Sequence, residues 1–129
     1  MIRATIGDAP FALEFRAAIG AGGPGRVVLA VGSAGGKRII MHVMKTLVGY
    51  MDWGLSAQDA IALPNIYYGG SALLVEKNTK LAEMQGALAA LGQTVVVSDV
   101  GSKLNAVERT PKGWRGAADP RSPGNALSE

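Results

Sequence analysis

The residues best suited to chemistry are Gly35 and Gly36, within the run VGSAGGKRII from Val31 to Ile40. The apolar segment Val27-Val28-Leu29-Ala30 leads into this run and a long apolar stretch follows it. A strand therefore passes through a glycine turn into a helix. Backbone N–H groups in the first turn of a helix have no intrahelical partner. Two residues without side chains let an anionic atom approach them closely. The turn is either a plain connection or a holder for phosphate, carboxylate or a developing oxyanion. A Walker P-loop is excluded, because it needs a glycine five residues before the Gly-Lys pair and Ser or Thr after it. Val31 and Arg38 hold those positions. Gly20, Gly22 and Gly25 spell GxGxxG, but Pro24 interrupts them and a strand follows where a dinucleotide site needs a helix.

Composition narrows the setting. The chain has 129 residues, 48% of them hydrophobic, enough for one domain with a true core. Aromatics make up only 5%, so that core must be aliphatic and alanine-rich. The net charge of +3 is mild and its charges are interspersed, which gives no argument for nucleic acid. Cysteine is absent, which rules out disulfides, thiol nucleophiles and thiolate metal sites. A lone histidine, His42, argues against zinc. No apolar run reaches the length of a membrane span. Asp8, Glu14 and Arg16 break up any signal-peptide core.

The elements that position the glycine turn can be read in part. Residues 26–32 read as a buried strand and residues 36–53 as a helix. Arg38, His42, Lys45, Gly49 and Asp52 form one polar stripe on that helix, and apolar residues cover the remainder. It should be buried on more than one side, between a sheet and another layer or chain. His42, on the polar stripe, reads as a solvated or boundary residue. Gly54 ends the helix, Ser56 with Asp59 opens a short second one through a capping box, and Pro64 stops it. Residues 65–68 and 73–76 are candidate strands. Residues 79–91 read as a third helix with Leu81, Met84, Leu88 and Leu91 on its apolar face and Gly92 as its stop. Three strands follow at 94–100, 104–109 and 114–118, expected to be antiparallel neighbours, with a Thr110-Pro111-Lys112-Gly113 turn before the last. Phe11, Phe15 and Ile19 permit a short amphipathic helix. Trp53 and Trp114 read as packing residues, and Arg109, Arg115 and Arg121 as ion-pair or surface residues. Asp119-Pro120 should fix a turn. This order predicts an α+β protein of mixed α/β layers.

Taken together, GSAGGKRII, AIALP, VEKN, ALGQTVVV and RTPKGWRGAADPRSPG resemble the C-terminal end of the small subunit of γ-glutamyltransferases, also called γ-glutamyltranspeptidases or glutathione hydrolases. In that family the matching pieces read GSPGG-R-I, A-A-x-P, VEKG, a helix ending in LG, VVV, and RTP-G…GA-DPR-PG. The likeness runs from Val27 to Gly124. It implies a partial αββα sandwich of the N-terminal-nucleophile hydrolase type. It also implies a proenzyme that cleaves itself, and a threonine that attacks the γ-glutamyl amide of glutathione-like substrates with its own amino group as base. Gly35 and Gly36 correspond to the family's oxyanion hole. No cofactor or metal is implied.

The departures from the pattern are as specific as the likeness. The nucleophilic threonine belongs upstream of Val27, and Thr5 stands in no comparable motif. The large subunit, with its arginine for the substrate α-carboxylate, has no counterpart. The family's serine-rich SSM-PT segment corresponds to residues 11–23, which hold no serine. Ala34 replaces the proline of the turn. The expectation is three regions: 1–24 unlike the family, 25–124 the family domain, and 125–129 a frayed tail. A truncated or frame-shifted gene would explain the break. The chain is then a fragment, inactive alone, that needs the missing large-subunit part or associates with itself. The alternatives are a non-catalytic oligomeric or partner-binding domain and, more weakly, a small-anion-binding module. Family members are often periplasmic or extracellular, and this sequence leaves the compartment open.

Overall fold

Four antiparallel strands form the larger sheet. They are β1 (Phe15–Ile19), β2 (Leu29–Ala34), β6 (Lys103–Thr110) and β7 (Gly113–Ala118), in that spatial order. The computed structural model describes residues 15–19, 27–34 and 36–126. A 3₁₀ turn (Gly36–Arg38) leads into α1 (Ile39–Met51), and α2 (Ala57–Ala62) follows. The smaller sheet has the order β3 (Ile66–Tyr68), β4 (Leu73–Glu76), β5 (Val95–Ser98). Between β4 and β5 run α3 (Lys80–Glu83) and α4 (Gln85–Ala90). The architecture is the expected mixed α/β arrangement.

Period-2 alternation decides which side of the large sheet is covered. Leu29, Val31 and Ser33 on β2, and Leu104, Ala106 and Glu108 on β6, are buried on one face. Ile39, Val43, Ala57 and Ile61 from the two helices complete the same core. The register sets Leu29 opposite Glu108, Val31 opposite Ala106 and Ser33 opposite Leu104. The α1–α2 crossing is close because Gly49 has no side chain. A Cβ there would come within 3.1 Å of the Ala60 Cβ and 2.8 Å of the Leu63 Cδ1.

Charges from other elements hold α2 at both ends. The Ala57 N–H donates to the buried Glu108 carboxylate at 3.1 Å, and Arg115 Nε donates to the other oxygen at 2.7 Å. At the far end Lys45 donates to the carbonyls of Ile61 and Leu63. An anion at the N-terminus and a cation at the C-terminus both complement the helix dipole. Gln58 does a different task. Its amide donates to the Ala118 carbonyl at 3.0 Å and accepts from the Ala118 N–H at 3.1 Å, on β7, the last strand of the sheet.

Several expectations are corrected. Phe15–Ile19 is a strand paired with β2, not a helix, and Phe11 lies outside the described residues. Four-residue spacing fits a helix, but the open edge of β2 offers a ladder, and tertiary pairing overrides so short a pattern. β5 is not an antiparallel neighbour of β6. It pairs parallel with β4 in the other sheet. The helical segment between β4 and β5 is the crossover that parallel strands need. The single helix expected at 79–91 is two short ones, broken where Met84 adopts φ −81°, ψ 2°. Met84 and Leu91 are exposed rather than packed. Trp53 is 63% exposed, so it is not a packing residue in this chain. Ser56 caps α2 as expected, its hydroxyl accepting from the Asp59 N–H at 3.1 Å, but the Asp59 carboxylate takes the Ser56 hydroxyl at 2.6 Å in place of the backbone N–H that a full capping box uses. Large sheet and α2 cover two sides of α1, while Ile40, Met44 and Met51 form a third side open to solvent.

Candidate active-site turn and its supports

The β2 strand delivers the chain to the glycine turn and the 3₁₀ turn carries it into α1. Gly35 lies outside the described residues. Gly36 is exposed and has φ +65°, the left-handed conformation that a side chain disfavours. A Cβ at Gly36 would meet nothing within 4 Å, so the need for glycine there is conformational and not steric. Gly36→Ala is expected to cost about 1–2 kcal/mol through backbone strain alone. Urea unfolding of the two proteins measures it; an unchanged midpoint would mean the turn relaxes freely.

The start of α1 is unusual in its charge. Its N-cap, Arg38, makes no side-chain capping bond, and the first turn holds no acidic residue. Lys37 and Arg38 stand in the 3₁₀ turn before it. The Arg38 guanidinium lies 5.8 Å from the Tyr67 ring centroid on β3, within cation–π range. The junction therefore presents positive potential with no carboxylate among the described residues capping it. An oxyanion suits such a place.

A buried polar network joins α1 to the C-terminal end of α2 and the segments beyond it. Lys45 Nζ donates to Ile61 O at 2.8 Å, Leu63 O at 2.7 Å and Asn65 Oδ1 at 3.0 Å. Burial lowers its pKa to about 8, reinforced by Arg121 and opposed by Asp119 and Glu76. Asn65 passes the link on, donating to Val100 O at 2.8 Å and Ser102 Oγ at 3.0 Å. Arg121 pairs with Glu76 at 2.5 Å and Asp119 at 3.1 Å, and donates to the carbonyls of Ile61, Ala62 and Leu63. Burial pushes the Asp119 carboxyl up, but donors from Ser102, Arg121 and Leu104 outweigh it and hold the pKa below the usual value. Arg121 N–H donates to Asp119 Oδ1 at 3.0 Å, closing the Asx turn that the Asp-Pro pair predicts. Arg115 pairs with Glu108, and Arg109 lies over Trp114.

His42 is where sequence reasoning failed. It is 0% exposed, and neither ring nitrogen has a hydrogen-bond partner among the described residues. Burial, with Lys45, Arg121 and Arg38 nearby and only Asp119 opposing them, lowers its pKa to about 4. The polar stripe faces inward because Lys45 reaches the end of α2 and Gly49 packs against it. His42 activates no hydroxyl in this arrangement. Among the described residues no group of three His, Asp or Glu side chains could hold a metal ion, and no helix is long and apolar enough to cross a membrane.

The mixed α/β scaffold is shared with known proteins. The family model described as gamma-glutamyltranspeptidase matches residues 19–128. The glutathione hydrolase proenzyme of Escherichia coli is 33% identical over 101 residues, covering 76% of this chain and 17% of that protein. The acylase ACY 1 proenzyme of a Pseudomonas species is 33% identical over 106 residues, covering 81% and 19%. A solved mutant of the Helicobacter pylori gamma-glutamyltranspeptidase superposes with a TM-score of 0.75 at 25% identity, covering 92% of this chain and 66% of that one. The chain belongs to the gamma-glutamyltranspeptidase family. It spans under a fifth of the length of those two curated relatives.

Proposed function

We propose that this chain supplies the oxyanion-holding part of a γ-glutamyl-transferring enzyme whose threonine nucleophile is not among its residues. A threonine Oγ adds to the γ-carbonyl carbon of a glutathione-like substrate, and the α-amino group of the same threonine takes the hydroxyl proton. Backbone N–H groups at Gly35 and Gly36 donate to the oxyanion. The C–N bond then breaks, the amine leaves with the proton, and an acyl ester remains. Water resolves it to glutamate, or the amino group of an acceptor resolves it to a new γ-glutamyl amide. The observation that carries this reading is Gly36, in the left-handed conformation at an uncapped, cation-flanked helix start. Losing one oxyanion donor typically slows such a reaction about a hundred- to thousand-fold. Likeness to an acylase proenzyme fits the same amide chemistry with a different acyl group.

The test is release of aniline from a γ-glutamyl anilide. The chain alone should release none. Supplied with the threonine-bearing segment and large subunit of a family member, it should turn over. Inactivity of that assembly, with the same donor parts active alongside their own C-terminal segment, would overturn the proposal.

One observation favours a second, non-catalytic reading. Ile40 is 66% exposed on α1, with Met44 and Met51 beside it, an apolar stripe that invites association. Self-association or a partner then becomes the role of the chain, and light scattering of a clean monomer would argue against the self-associating form.

A further inference from the structure

Asp119 grips one residue from two directions. Its N–H donates to the Leu104 carbonyl at 2.9 Å, and its carboxylate accepts from the Leu104 N–H at 3.1 Å. The same Oδ2 accepts from the Ser102 hydroxyl, while Oδ1 accepts from Arg121 N–H and Nη1. Asp119 is 1% exposed, so these donors replace water entirely. Leu104 lies opposite Ser33, and Lys103 opposite Ala34, the last residue before Gly35. The buried carboxylate thus fixes the strand segment that faces the exit of β2.

We propose that Asp119 is a positioning residue for the glycine turn: by holding Ser102 and Leu104 it sets the end of β2 from which Gly35 and Gly36 present their N–H groups. This rests on the oxyanion reading of the turn. A misplacement of about 1 Å at such a site can cost about a hundredfold in rate. Asp119→Asn keeps the shape, but its amide NH₂ must face either the Leu104 N–H or the Arg121 guanidinium, donor against donor. Ser102→Ala removes a single hydroxyl and leaves the contact with Leu104 intact.

The experiment is a double-mutant cycle between Asp119→Asn and Gly36→Ala in the active assembly, read on γ-glutamyl anilide. Asp119→Asn should lower kcat about ten- to a hundredfold with KM within about twofold. The double variant should be little slower than the slower single variant, because both act on one geometry. Multiplying losses, or an unchanged kcat in the folded protein, would overturn the proposal. Should Asp119→Asn not fold, Ser102→Ala takes its place, with a several-fold kcat loss expected and an unchanged kcat counting against. Should the unmodified assembly be inactive, the oxyanion reading falls. Amide exchange at Gly36 and Lys37 then decides the positioning claim: faster exchange in Asp119→Asn than at α3 supports it, and unchanged exchange overturns it.

Discussion

Replacing Arg121 by methionine should destabilise the fold by about 3–5 kcal/mol, the usual cost of leaving buried partner charges uncompensated. Its guanidinium joins Glu76 of β4, Asp119 after β7 and the last carbonyls of α2, so one side chain ties the small sheet, the large sheet and a helix end together. Side-chain exposure is only 15% for Arg121 and 14% for Glu76, which keeps water from replacing the lost contacts. Arg121→Lys keeps the charge and loses the planar fork, and should recover less than half of the loss. Urea midpoints at constant slope measure both variants. A loss below about 1 kcal/mol for the methionine variant would show that Lys45 alone suffices at the end of α2.

Acid should weaken the fold through His42 before Asp119 is involved. Its folded pKa, about 4, lies below its ordinary 6.5, so the neutral ring is the form that suits the fold. Its contribution is complete above pH 6.5 and is lost as pH falls from there to about 4. At about 1.4 kcal/mol per pKa unit, the full loss is about 3–4 kcal/mol. Asp119, whose pKa is lowered from 3.8, loses its contribution only at lower pH, so the two windows separate. Urea midpoints at pH 7, 6, 5 and 4 should fall for the native chain and stay nearly level to pH 5 for His42→Leu. Parallel curves would mean that the ring gains a partner when protonated.

Two of the failures of sequence reading have a common cause. Arg38, His42, Lys45 and Gly49 mark a polar face by local spacing, and on an isolated helix that face would meet solvent. Here Lys45 meets the carbonyls of Ile61 and Leu63 and the Asn65 side chain, and beyond them Arg121 pairs with Glu76 and Asp119. Helical periodicity cannot register partners so far along the chain. Likewise, VVV at 95–97 marks a strand but not its neighbour; its parallel pairing depends on the crossover through α3 and α4. What was legible was local: the helix opening after the glycines, the Ser56–Asp59 cap, the stop at Pro64 and the hairpin at Pro111–Lys112. The left-handed turn at Gly36 was legible from its own residue type, and the oxyanion role proposed for the glycine pair comes from the family likeness. The grip of Asp119 on Leu104 was not legible, because nothing in the spacing of DPR names residue 104.

The Gln58 amide bears on how this molecule avoids polymerising. An exposed edge strand is a template for edge-to-edge growth into fibrils. At Ala118 both backbone groups already belong to a side chain from α2, which imitates one residue of an arriving strand. An incoming chain must break two hydrogen bonds before it can make any there. At that one residue the β7 edge is closed as a growing polymer is closed by a capping unit.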